Sequence, residues 1–151
     1  MLKNILVLTL ISSIYLFANS FKVGDEIGHF SLPNQFDEKK DVDSKTQTII
    51  VSFEKDTGKD INTFLASKKA DFLDKHHTVF IANISGMPSI ITKLFAMPKM
   101  RDYKHSILLI YDDADDRFVN KEEKSTLYKL ENGVIKSISY ITKDDLEEVF
   151  K

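Results

Sequence analysis

Residues 48–67 read TIIVSFEKDTGKDINTFLAS: a buried strand, a short polar turn, then a helix. In α/β proteins such a turn sits at the carboxyl end of a strand, where chemistry is commonly placed. The turn here is Glu54-Lys55-Asp56-Thr57-Gly58-Lys59. Glu54 and Asp56 suit general acid–base work if burial raises one carboxyl pKa. Lys55 and Lys59, at a helix start, suit an anion held by the helix dipole. Glu54, Asp56 and Asp60 oppose that anion, and Asp56 or Thr57 as a plain helix cap is the reading their types favour.

Other residues invite metals. Asp112-Asp113-Ala114-Asp115-Asp116 concentrates carboxylates but lacks the alternating ligands, glycine and distant glutamate of a calcium loop, so a solvated loop is preferred. The histidines are His29, His76, His77 and His105. Adjacent helical residues point about 100° apart, so His76 and His77 do not share one metal there. Met87, Met97 and Met100 offer soft thioethers for Cu(I), yet three methionines at helical spacing more commonly fill a core. No Ser-His-Asp set, glycine-rich phosphate loop or His-Glu-x-x-His motif is present. Neither a cofactor nor a metal is expected.

The elements that position these residues follow from length and patterning. A chain of 151 residues with no repeat or low-complexity tract reads as one domain. Residues 1–20, MLKNILVLTLISSIYLFANS, have the layout of a secretory signal peptide: an early lysine, a short apolar run, and small residues before a cut. The expected mature domain is 21–151, secreted and periplasmic. With no cysteine in the chain, thiol redox chemistry, thiol peroxidase chemistry, disulfides and Cys-based zinc sites are excluded. A net charge of −2 with interspersed signs argues against nucleic acid, and no stable membrane insertion is expected after cleavage.

Strands are expected at His29–Leu32, Lys39–Asp43, Thr48–Phe53, Thr78–Ile84, Ser106–Tyr111, Thr126–Leu130 and Val134–Ile141. Asn132-Gly133 signals a hairpin whose turn residues take positive φ. One helix is expected from Asp56, with Ile61, Phe64, Leu65, Phe72 and Leu73 along a single stripe. A second starts at Pro88, with Ile90, Ile91, Leu94, Phe95 and Met97 on one face, and ends or kinks at Pro98. Thr142 caps a closing helix. The order gives a mixed central sheet with helices on both faces.

This order, with Val23-Gly24-Asp25-Glu26-Ile27-Gly28-His29-Phe30-Ser31-Leu32-Pro33-Asn34 at its start, Thr48–Phe53, and Thr126-Leu127-Tyr128-Lys129-Leu130-Glu131-Asn132-Gly133-Val134-Ile135, resembles the thioredoxin-like superfamily, in its peroxiredoxin and TlpA-like branch. It is most similar to the cysteine-less YtfJ-like periplasmic proteins. The resemblance covers nearly the whole mature chain and implies a three-layer α/β/α domain with an N-terminal β-hairpin. The family's two-cysteine motif would fall at Glu54–Lys59 and its cis-proline near Lys124 or Ser125; neither is present. The resemblance implies a non-redox binding module meeting an envelope protein or peptide at Glu54, Lys55, Asp56, Thr57 and Lys59 together with Glu123, Lys124 and Ser125. An alternative is an enzyme or ligand-binding protein using polar groups of the same turn. It requires a closed pocket over Glu54. A third reading, an envelope-interaction protein, requires a large exposed apolar patch. The oligomeric state and the ligand are not legible.

Overall fold

The computed structural model describes residues 20–151; the expected signal peptide falls, but for Ser20, outside them. The strands are β1 (Phe30–Pro33), β2 (Lys39–Val42), β3 (Thr48–Ser52), β4 (Thr78–Asn83), β5 (Leu108–Ile110), β6 (Ser125–Glu131) and β7 (Val134–Ile141). β1 and β2 form an antiparallel hairpin, and the others a sheet in the order β5-β4-β3-β6-β7. β3, β4 and β5 run parallel, while β6 and β7 are antiparallel additions. Every residue of β3 is buried, as its unbroken apolar, β-branched sequence requires of a central strand.

Period-two alternation sorts β3 into two cores. Ile50 faces a cluster with Ile61, Leu65, Leu73, Phe80, Leu127 and Leu146. Ile49 and Val51 face a second, with Ile27, Leu32, Val42, Ile81, Phe118 and Tyr128. The α/β class, mixed sheet and N-terminal hairpin are as the sequence indicates. The buried helical side chains that enter a core join the first, and the hairpin, Ile27 and Phe118 close the second.

On β7 the alternation is irregular in sequence, and pairing explains it. Lys129 pairs Ser137 while Leu130 pairs Ile135, so Lys136 is a bulged extra residue. The bulge resets the faces: Ile135 and Ile138 both reach the second core, and Ile141 reaches the first. Asn132 (φ 51°) and Gly133 (φ 80°) make the positive-φ turn that joins β6 to β7.

Three helical expectations are corrected. Helix α1 (Lys55–Ala66) stops before Phe72 and Leu73, which lie on the separate α2 (Phe72–Lys75). Ser67 ends it: its N–H and its Oγ–H both donate to the Phe64 carbonyl, tightening the last turn. Second, of the two outcomes expected at Pro98, the helical run over residues 89–101 does not end there but changes its winding just before it. That run consists of α3 (Ser89–Ile91), a π-helical turn (Thr92–Ala96) and α4 (Met97–Arg101). Proline at the start of α4 has no N–H to donate, and the wider turn before it accommodates the missing bond. Third, Ile90, Ile91, Leu94 and Phe95 do not share a face with Met97. They are exposed, at 63%, 42%, 61% and 66%, and only Met97 of the expected stripe is buried.

The chain closes with a 3₁₀ turn (Lys143–Asp145) and α5 (Leu146–Val149), started as expected by Thr142 in a reciprocal capping box with Asp145. No helix among the described residues is long and apolar enough to cross a membrane.

Candidate functional site

The turn after β3 and the loop before β6 are neighbours because β3 and β6 pair antiparallel: the end of one strand lies beside the start of the other. Their link is specific. The Glu123 N–H donates to Glu54 Oε1 at 2.9 Å. Glu123 takes a left-handed φ of 60°, which aims its amide at the turn. Glu54 occupies the N-cap position of α1 with extended backbone, yet its side chain caps nothing. This corrects the expectation of a cap by Asp56 or Thr57. Thr57 Oγ1–H instead donates back to the Glu54 carbonyl, 3.1 Å away, and the Gly58 N–H donates to the same oxygen. No side chain caps the first turn of α1.

Gly58 has a packing reason. A Cβ there would stand 3.2 Å from Ser52 Oγ, so α1 crosses β3 closely enough that the serine would have to give way to one.

Between α1 and the chain's closing turn lies an open cleft of about 250 Å³, lined by Thr57, Asp60, Ile61, Glu123, Ser125, Ile141, Thr142, Lys143, Asp144 and Leu146. Of the residues named from sequence, Thr57, Glu123 and Ser125 line it, Thr57 and Ser125 buried and Glu123 exposed. Glu54 ties the two segments together from outside. Lys55, Asp56 and Lys59 are exposed and do not line the cleft; Lys124 is half-buried beside it in sequence. Asp60, Thr142 and Asp144 complete the cleft and were not among the expected binding residues. Thr142 and Asp144 are visible in sequence only as a helix start; nothing local places that start against α1. With Asp60, Glu123 and Asp144 against Lys143, the lining is acidic.

A catalytic carboxylate needs a water-poor pocket to shift its pKa. Glu54 and Asp56 are exposed, and neither lines the cleft.

The remaining candidates have structural partners. His105, only 4% exposed, places Nε2 2.8 Å from Asn62 Oδ1 on α1. Burial pushes its pKa down from 6.5 to about 4. Its carbonyl accepts from Gln35 Nε2, and Gln35 Oε1 accepts from the Ile107 N–H, at 2.8 and 2.9 Å. Gln35 is fully buried, so this side chain supplies the backbone of residues 105–107 with bonds the sheet does not. His29 meets Asp41 at the surface. His76 ends α2 and His77 (φ 47°) follows it, so the pair does not share a helix. Met87, Met97 and Met100 pack in the first core, and the Tyr111 hydroxyl donates to Met97 Sδ at 3.6 Å.

In the acidic loop Asp115 is held by Arg117 through two bonds of 2.8 and 2.6 Å, and Arg117 lies over the Phe30 ring. That guanidinium lowers the Asp115 pKa. Asp112 accepts from the Ala114 N–H. Among the described residues no cluster of three or more histidines or acids could hold a metal ion.

No family model matches the chain. No curated protein matches it either. Solved structures do. Peroxidoxin BcpB from Mycobacterium tuberculosis is similar at 13% identity and a TM-score of 0.53, over 85% of this chain and 93% of that one. The thioredoxin domain of a thiol-disulfide oxidoreductase from Bacteroides vulgatus matches at 12% identity and 0.52, over 87% and 100%. StoA from Bacillus subtilis matches at 17% and 0.51, over 82% and 97%. At these identities the likeness shows the fold: the chain has a thioredoxin-like α/β fold, without a cysteine.

Proposed function

We propose that this cysteine-less thioredoxin-like chain is a periplasmic binding module whose recognition surface is the face built from Glu54–Lys59 and Glu123–Ser125. The observation that carries the reading is the bond from the Glu123 N–H to Glu54 Oε1, which holds the two segments as one surface beside an open cleft. The ligand class that fits is an envelope protein or peptide presenting a basic group to Asp60, Glu123 and Asp144. Openness suits an extended segment better than an enclosed small molecule. Its backbone would compete with Glu54 for the Glu123 amide, as a strand added to an edge would.

The test is selection of peptides on the full chain. A Thr57→Ala variant and an Asp60→Asn/Asp144→Asn variant then follow. Selected peptides should be lysine- or arginine-containing, should move the Glu123 and Ser125 amide resonances, and should bind both variants less well at unchanged fold. Peptides that bind both variants as well as the parent chain would place the site elsewhere.

A further inference from the structure

The helical run over residues 89–101 is inverted. Its polar Thr92 is 7% exposed, while Ile90 and Phe95 are 63% and 66% exposed. Ile90, Ile91, Leu94 and Phe95 are spaced i, i+1, i+4, i+5, so they share one side of the run. Four large apolar side chains placed together on an outward face are not incidental surface residues. The sequence of the run and its flanks is basic. Over residues 86–104 the chain carries Lys93, Lys99, Arg101 and Lys104 against Asp102 alone, whereas its net charge is −2. Arg101 is engaged by Asp37 at 3.5 Å and by the Gln35 carbonyl. Lys93 and Lys99 make no ion pair among the described residues.

We infer that this face adsorbs to an anionic lipid surface, with Ile90, Ile91, Leu94 and Phe95 entering the headgroup–acyl boundary and Lys93 and Lys99 meeting lipid phosphates. An apolar helix face flanked by lysines is the pattern that lies in a bilayer interface without spanning it. The charge decides between occupants. A second copy would bring the same lysines against themselves, while anionic headgroups complement them. The acidic cleft has none of this helix in its lining, so the chain can lie on a membrane with that cleft free.

The absence of cysteine allows a site-specific readout. The full chain carrying Leu94→Cys is labelled with a polarity-sensitive dye. It is mixed with vesicles of phosphatidylcholine alone, or of equal parts phosphatidylcholine and phosphatidylglycerol. A Ser139→Cys chain, labelled on exposed β7, is the control. The residue-94 dye should move to an apolar environment on phosphatidylglycerol vesicles only, and the residue-139 dye should stay aqueous. Adding Lys93→Glu/Lys99→Glu should weaken partitioning by about tenfold or more at low salt. The inference is overturned if the residue-94 dye stays aqueous while the chain sediments with vesicles. It is also overturned if neutral vesicles or the charge variant behave like the parent on anionic ones, or if no partitioning occurs. A lipid-free dye shift that grows with protein concentration would assign the face to a second copy instead.

Discussion

The Glu123 amide and the Glu54 carboxylate, 69 residues apart in sequence, meet at 2.9 Å and join the loop before β6 to the first residue of the turn after β3. The short side chains of Asp, Asn, Ser or Thr at this position would cap the helix; this longer glutamate reaches past it and caps a loop. Glu54→Ala should release the Glu123 amide, so its hydrogen exchange should rise about tenfold or more while exchange in β3 stays slow. Glu54→Gln, which keeps an acceptor, should restore most of the protection. Equal exchange in all three chains would show that the bond does not order the loop.

Gln35 is a second long-range tie, and a buried one. Gln35→Leu keeps the bulk but leaves the Ile107 N–H and the His105 carbonyl without their partner. Unsatisfied buried backbone groups cost about 1–3 kcal/mol each, so a loss of about 2–4 kcal/mol is expected in urea unfolding, with an unchanged m-value. A loss below about 1 kcal/mol would mean that water replaces the amide.

His105 sets a pH dependence. Its folded pKa of about 4 lies below the ordinary 6.5, so the unfolded chain binds the proton more readily. Its contribution to stability is therefore complete above about 6.5 and is lost as pH falls towards 4, where it levels off. The full span corresponds to at most about 3 kcal/mol. His105→Gln, which can still bond Asn62, should flatten this part of the stability profile. A variant profile as steep as the parent's would assign the acid sensitivity to other groups.

Gly58 tests the closeness of α1 to β3. Alanine is favoured over glycine in a helix interior by about 1 kcal/mol. Gly58→Ala should nevertheless destabilise, by about 1 kcal/mol, because the new methyl would press on buried Ser52 Oγ. In a Ser52→Ala background the same substitution should become stabilising. Thermal unfolding of the four chains of this cycle gives the sign directly.

The strands, the Asn132-Gly133 turn and the Thr142 cap were legible because each is written in adjacent residues. The helix from Asp56 was read too long because Phe72 and Leu73 continue its apolar stripe in sequence and do reach the same core, from a separate helix. In the run from Pro88, periodicity groups Met97 with Ile90, Ile91, Leu94 and Phe95, but the π-helical turn between them shifts the phase, and periodicity identifies an apolar side without saying what covers it. At the site, the turn and the loop were paired correctly in sequence through a resemblance. The cleft beside them needed Asp60, Thr142 and Asp144, which only the packing of α1 on the closing turn brings together. Lys55, Asp56 and Lys59 attract notice by charge, yet exposed charges at a helix start are equally what solvation alone selects.

The π-helical turn at Thr92–Ala96 fixes an angle as well as accommodating a proline. Such a turn is one residue inserted into an α-helix, and each residue advances the helix by about 100°. The orientation of Ile90 and Ile91 relative to buried Met97 thus depends on a single residue of phase. Deleting Ala96 would turn the apolar residues through roughly a quarter of a revolution about the helix while leaving those residues and the net charge unchanged. A one-residue insertion or deletion, harmless in most loops, would here act as a rotary setting for the exposed apolar face.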